Sequence, residues 1–178
     1  MPARNDVVLR PARVEDVPQL RAWDREPHVI ACTTDDPAAT TAFDGIDWVD
    51  EIESASDVSY HLIAEVGGRP IGAMQVIDPQ REPTHYWGDV GPNLRAVDIW
   101  IGETDALNHG YGTQMMTQVI DEAFADPAIE AIIIDPLNSN TDAHRFYQRL
   151  GFRPVGRQVF DGDDCLVHRL DRDDWASR

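Results

Sequence analysis

Residues 130–135 read EAIIID, an unbroken apolar stretch bounded by carboxylates. Successive strand side chains point to opposite faces. A run this uniform therefore predicts a strand covered on both sides, as in the interior of a sheet flanked by helices. The segments around it supply such helices. Over 113–125, Met115, Met116, Val119, Ile120, Ala123 and Phe124 fall on one helical stripe, and Pro127 stops it. Over about 140–150, Ala143, Phe146, Tyr147 and Leu150 share one face, and Gly151 closes the helix as a C-terminal cap.

The rest of the chain fits the same architecture. VVLR predicts a strand at 7–10, and a helix follows from Val14 to about residue 25. Residues 26–41 read as irregular. Phe43, Ile46, Trp48, Val49 and Ile52 then space as a short amphipathic helix despite Gly45. Gly67-Gly68 is a strong hairpin signal between strands at about 59–66 and 69–77. A polar and aromatic loop covers 79–93, RAVDIWI a strand at 95–101, and FRPVGRQVF and CLVHRL the last two strands around DGDD. The expectation is an α/β (α+β) fold: a mixed central sheet of about seven strands with helices on both faces, ordered β-α-α-β-β-β-α-β-α-β-β. The length, 178 residues, suits a single domain over 1–178.

The charge balance narrows the partners. Fifteen basic residues, all arginine, face 32 acidic ones, for a net −17. Such a surface repels nucleic acid and anionic lipid and attracts a cationic small molecule or basic peptide, although solubility alone also explains it. The acids Asp35, Asp36, Asp44, Asp47 and Asp50 read as a solvated face. Two cysteines are too few for a disulfide framework, and neither they nor the six histidines show metal-ligand spacing, so no metal is expected. The stretch MPARNDVVLRPARVED lacks an apolar signal core, and no apolar run approaches membrane-spanning length. A cytoplasmic protein, monomer or homodimer, is the expectation.

LNHGYG, residues 107–112, lies between a strand and a helix. A P-loop would need GxxxxGK[ST], but the chain has no lysine; a dinucleotide fingerprint would need a third glycine where Met115 stands. A turn of backbone N–H groups opening a helix can still bind a pyrophosphate without a lysine. The alternative is that the two glycines merely turn the chain.

The strand AVDIWI, the loop HGYG, the strand AIIID and the helix NTDAHRFYQRLGF together resemble the GNAT superfamily of acyl-CoA N-acyltransferases. Its loop pattern Q/R-x-x-G-x-G/A aligns with Leu107–Gly112, departing only at Leu107. Its helix pattern N-x-x-A-x-x-x-Y-x-x-x-G-F is met by Asn140, Ala143, Tyr147, Gly151 and Phe152. Asp98, Leu107 and DPLNSN over 135–140 are similar to the aminoglycoside 6′-N-acetyltransferase branch. In place of the aromatic pair such enzymes often carry after the W…HV stretch stands Ala31-Cys32-Thr33.

The resemblance implies acetyl-CoA as cosubstrate and a cationic amine as acceptor. It places the cofactor along Ile99, Trp100 and Ile101, around Asn108, His109, Gly110, Tyr111, Gly112 and Thr113, and at Asn140 and Ala143. Asp98 is the implied base or amine-orienting group, since alternation turns it away from Val97, Ile99 and Ile101, and a carboxylate inside an apolar strand needs a reason. Tyr147 is the implied acid: a phenol with pKa ~10 can protonate a departing thiolate while staying neutral itself. The resemblance implies that Asp135 binds a second amine of a polycationic acceptor. Asp89, Tyr86 and Trp87, in the long loop before the central strand, are candidates to line the same pocket, the alternative being a solvent-exposed loop. Other acceptors fit the same fold: a protein N-terminus, a siderophore lysine or a polyamine. So does a CoA-binding sensor without turnover.

Overall fold

The computed structural model describes residues 6–178; residues 1–5, where the stretch read for a leader begins, lie outside the described residues. A strand β1 (Val7–Pro11) leads through a 3-10 turn to α1 (Val17–Trp23), α2 (Pro27–Thr33) and α3 (Trp48–Glu53). The hairpin β2 (Ser59–Val66) and β3 (Arg69–Ile77) follows, then β4 (Leu94–Ile101), α4 (Tyr111–Ala125), β5 (Ala131–Ile134) and α5 (Thr141–Arg149). The described chain ends with β6 (Arg153–Phe160), β7 (Asp163–Asp171) and α6 (Arg172–Ala176). The seven strands form one mixed sheet in the order β1-β2-β3-β4-β5-β7-β6. Among the described residues only β4 and β5 pair in parallel.

The isoleucine run behaves as its composition demands. Ile132 and Ile134 pack under α4 and α5 with Met116, Ile120, Tyr147 and Leu150, whereas Ile133 packs on the other side with Trp87 and Phe160. A further cluster under α1 and α3 joins Leu20, Trp23, Trp48, Ile63 and Trp100. Burying a side chain of this size contributes about 1.5–3 kcal/mol, so these clusters fix which way each strand faces. Gly102 shows how tight the fit is: a Cβ there would lie 2.0 Å from the Trp23 ring.

Three expectations need correction. Residues 27–33 are helical rather than irregular, and the sequence carries a signal for it: Pro27 stands at the first helical position after an extended Glu26. The apolar spacing there is sparse because only Val29 is buried. The helix expected from Phe43 begins only at Trp48. Gly45 sits at φ +72°, outside the helical region, and Asp47 caps α3 by accepting from the N–H groups of Val49 and Asp50. The short α6, RDDWA, had no periodic pattern to announce it.

One feature of the register positions the site. β4 and β5 pair only at Leu94–Ala131, Arg95–Ile132 and Ala96–Ile133. β5 ends at Ile134, whereas β4 runs on to Ile101 against β3. From Val97 onward the sheet is split, and among the described residues the β4 edge on that side has no neighbouring strand.

Candidate active site

The split opens into a cleft of about 1820 Å³, walled by Val97–Ile101, the glycine loop, the start of α5, α2 with its following loop, and the β6–β7 turn. Alternate N–H and C=O groups of a strand point to each side, so the exposed β4 edge offers peptide groups to an extended ligand. One of its carbonyls is taken: His28 Nε2 lies 2.9 Å from Ile101 O.

The glycine loop stands at one end of this cleft. Gly110 is the N-cap of α4 at φ +78°, ψ 4°, a left-handed conformation natural to glycine. Among the described residues no side chain caps this helix, so its first N–H groups, from Tyr111 onward, can serve a ligand. Asn108 (φ +61°) also turns left-handed. The site fits a pyrophosphate by backbone alone, with the dipole of a 15-residue helix behind it.

Deeper in, Asn140 caps α5, its Oδ1 accepting from Ala143 N at 3.1 Å. Its side chain also contacts the Cys32 thiol, whose pKa burial pushes up. About two turns further, the buried Tyr147 ring packs among Phe146, Phe152 and His168 and lines the cleft. Burial first, then the charges of Asp98 and Asp135, raise its phenol above the ordinary range. At neutral pH it is a hydrogen donor.

Asp98 and Asp135 complete the floor. Burial pushes Asp98 up to about 6. Burial first, and the Asp98 charge second, push Asp135 up to about 8, while the Tyr86 hydrogen bond works the other way. These two carboxylates titrate together near neutrality. Tyr86 Oη donates to Asp135 Oδ2 at 2.6 Å, and its ring stacks on Phe160 at 4.7 Å between centroids. The buried Glu82 sets the loop that carries Tyr86, accepting from Thr84 N at 2.8 Å, Thr84 Oγ1 at 2.6 Å and Tyr86 N at 2.6 Å. Tyr86, Asp98 and Asp135 also line a second cavity of about 590 Å³ with Gln75, Glu51 and Trp87.

A glycine-turned helix start, a split between parallel strands and a tyrosine beside a buried carboxylate thus meet in one cleft. Residues 13–160 match the family model described as Acetyltransferase (GNAT) domain. The chain belongs to the GNAT acetyltransferases. Acetyl-CoA is the cosubstrate of this family. Similar proteins include an aminoglycoside N(6′)-acetyltransferase type 1 of Klebsiella pneumoniae, 26% identical over 155 residues, 86% of this chain and 77% of that protein. Among solved structures, the fold resembles AAC(6′)-Ib in complex with ribostamycin and coenzyme A, with TM-score 0.80, 23% identity and 97% of each chain covered. It also resembles an aminoglycoside N(6′)-acetyltransferase of Legionella pneumophila, with TM-score 0.74, 18% identity and 99% and 97% covered.

Most site residues expected of a GNAT enzyme converge on the cleft: Asp98, Ile99, Trp100, Ile101, Asn108, Gly110, Tyr111, Gly112, Thr113, Asp135, Asn140, Ala143 and Tyr147 all line it. Three expected residues do not. His109 is exposed, its Nδ1 2.8 Å from Leu107 O and its ring stacked on Tyr111 outside the cleft wall. Asp89 is exposed and lines neither cavity, because the turn at Gly88 (φ +69°) carries it past Trp87 into solvent. Trp87 lines only the second cavity.

The five acids read as a solvated face are all exposed. Three of them, Asp35, Asp36 and Asp44, also line the cleft, and Asp47 caps α3. Sequence reasoning also missed His28, Cys32 and Asp163. Asp163 Oδ1 accepts from Thr34 Oγ1 and Asp35 N, each at 2.9 Å, and Ser139 Oγ donates to Asp35 Oδ1 at 2.7 Å. These bonds tie the segment after α2 across the cleft to partners 104 to 129 residues away, a distance over which local patterns carry no signal. Among the described residues, no helix is long and apolar enough to cross a membrane.

Proposed function

We propose that this chain moves the acetyl group of acetyl-CoA onto the 6′-amine of an aminoglycoside by direct attack in a ternary complex. The observation that carries the reading is the carboxylate pair Asp98–Asp135, shared by the two cavities and lying in the same cleft as the free β4 edge and Tyr147. Two acids held together at the floor suit an acceptor with more than one ammonium group. The names of the similar proteins support the same class of acceptor.

In this reading the N–H groups of Gly110–Thr113 hold the pyrophosphate, and the β4 edge with Asn140 aligns the pantetheine arm. Peptide N–H groups near Ile99 and Trp100 polarise the thioester carbonyl. Asp98, raised toward neutrality yet largely ionised at pH 7, takes a proton from the ammonium. The neutral amine forms the C–N bond, the C–S bond breaks, and the sulfur leaves with the proton of Tyr147. Asp135 holds a second ammonium group.

The test is release of free thiol from acetyl-CoA with an aminoglycoside panel, set against polyamines and Ser- or Ala-starting peptides. Turnover of kanamycin or ribostamycin with a product acetylated at the 6′ position is the expected result. Turnover of peptides or simple polyamines alone sinks the aminoglycoside reading, and tight CoA binding with no acceptor consumed makes the chain a sensor.

A further inference from the structure

The glycine loop brings no cationic side chain to the cleft: Leu107 is apolar, and His109 lies outside the wall. Two cations reach the same wall from another element. Arg145 and Arg149 stand one helical turn apart on α5, and among the described residues they are the only arginines lining the cleft. The loop and this helix touch, since the Phe146 ring lies 3.4 Å from where a Cβ on Gly112 would sit. Asp142, Arg145, Phe146 and Arg149 follow the i, i+3, i+4, i+7 spacing of one face. Tyr147 is buried, whereas both arginines are exposed, so the arginines occupy the outer rim of the wall whose inner part holds the tyrosine.

Charge makes this placement matter. The chain carries −17, and coenzyme A is a polyanion whose 3′-phosphomonoester alone bears about −1.5 to −2 at neutral pH. Helix N–H groups at Gly110–Thr113 suit the pyrophosphate, and the 3′-phosphate needs a partner of its own on a protein this acidic. We propose that Arg145 and Arg149 clamp the 3′-phosphate of coenzyme A at the cleft rim. The inference rests on coenzyme A being the cosubstrate whose pyrophosphate the glycine loop holds.

The present partners of the two side chains leave them available. Arg145 pairs with Asp142 at 2.9 Å, with side chains 69% and 92% exposed, a weak pair that a dianion displaces. Arg149 makes no ion pair among the described residues; its carbonyl accepts from Arg178. A planar guanidinium binds a phosphate through two parallel N–H donors, which a lysine cannot do, and arginine is the sole basic side chain this chain employs besides histidine.

Calorimetric titration of the wild-type protein and of an Arg145→Gln/Arg149→Gln variant, with coenzyme A and with 3′-dephospho-coenzyme A, tests the clamp. A matching melting curve establishes that the variant is folded, which surface positions favour; the single Arg149→Gln variant serves if the double one is not. The wild-type protein should prefer coenzyme A by about tenfold, a charge-assisted contact's worth. The variant should lose that preference, weakening for coenzyme A by about tenfold and changing by less than about twofold for the dephospho form. Its coenzyme A affinity should also fall less steeply with salt. An equal loss for both ligands would move the arginines to the pyrophosphate and overturn the proposal, as would an unchanged preference. If the wild-type protein binds neither ligand, it is the cosubstrate reading that fails.

Discussion

Tyr86 holds Asp135 by a 2.6 Å hydrogen bond from phenol to carboxylate across 49 residues of sequence. The bond favours the ionised acid and opposes burial and the Asp98 charge, which together push Asp135 up to about 8. An acid poised this way gives up its proton when a cation arrives. Tyr86→Phe removes the donor, so the Asp135 pKa should rise further. The pH above which a cationic acceptor binds should then move upward, seen as a higher acceptor KM at pH 7 that recovers above pH 8. An unshifted KM-against-pH curve would separate Tyr86 from acceptor binding.

The raised Asp135 also sets a stability trend. In the unfolded chain an aspartate ionises near pH ~3.9, whereas the folded protein keeps this proton until about 8. The folded state therefore binds more protons across that interval, and the contribution of Asp135 to stability falls as pH rises through it. Asp135→Asn keeps an acceptor for Tyr86 and removes the ionisation. Its melting temperature should match wild type near pH 4 and exceed it by several degrees at pH 8, at about 2–4 °C per kcal/mol for a domain this size. Thermal denaturation at both pH values measures it; a constant difference contradicts the shift.

Asp98→Asn should lower kcat/KM by about 10²–10⁴, the usual range for removing a positioned general base. Coenzyme A affinity should stay within about twofold, because the pyrophosphate is held at the other end of the cleft. A rate close to wild type would remove Asp98 from proton transfer and leave it at most an orienting charge.

Gly102→Ala addresses the scaffold. The added Cβ would meet Trp23 Cγ at 2.0 Å, and Trp23 has little room to yield: it is 1% exposed, and its Nε1 donates to Glu103 at 2.8 Å. Overpacking of this kind costs about 1–3 kcal/mol, so the melting temperature should drop by about 3–10 °C. An undiminished melting temperature would mean that the α1 contact with the end of β4 yields easily.

Much of this molecule can be read locally. The hairpin strands around Gly67-Gly68 fall where the alternation and the glycine pair place them, because turn chemistry and register act over a few residues. Ala131–Ile134 announces a strand covered on both faces, and Met115 to Phe124 a stripe that must find a core. Asp98 shows itself because a carboxylate is out of place in an apolar strand. Where the signal is short or sparse, as in α2 and α6, the elements escape, since few buried side chains are needed to hold them against the rest of the chain.

By itself, then, the sequence determined the layers, the strand order along the chain and the helix start that suits a pyrophosphate, all consequences of periodicity and glycine chemistry within about ten residues. Only the tertiary structure decided where the sheet splits, that Asp35 and Asp163 reach one cleft while Asp89 leaves it, and that Asp98 and Asp135 share a proton range near neutrality. Those properties depend on distance in space and on exclusion of water, and both arise only when segments far apart in the chain pack together.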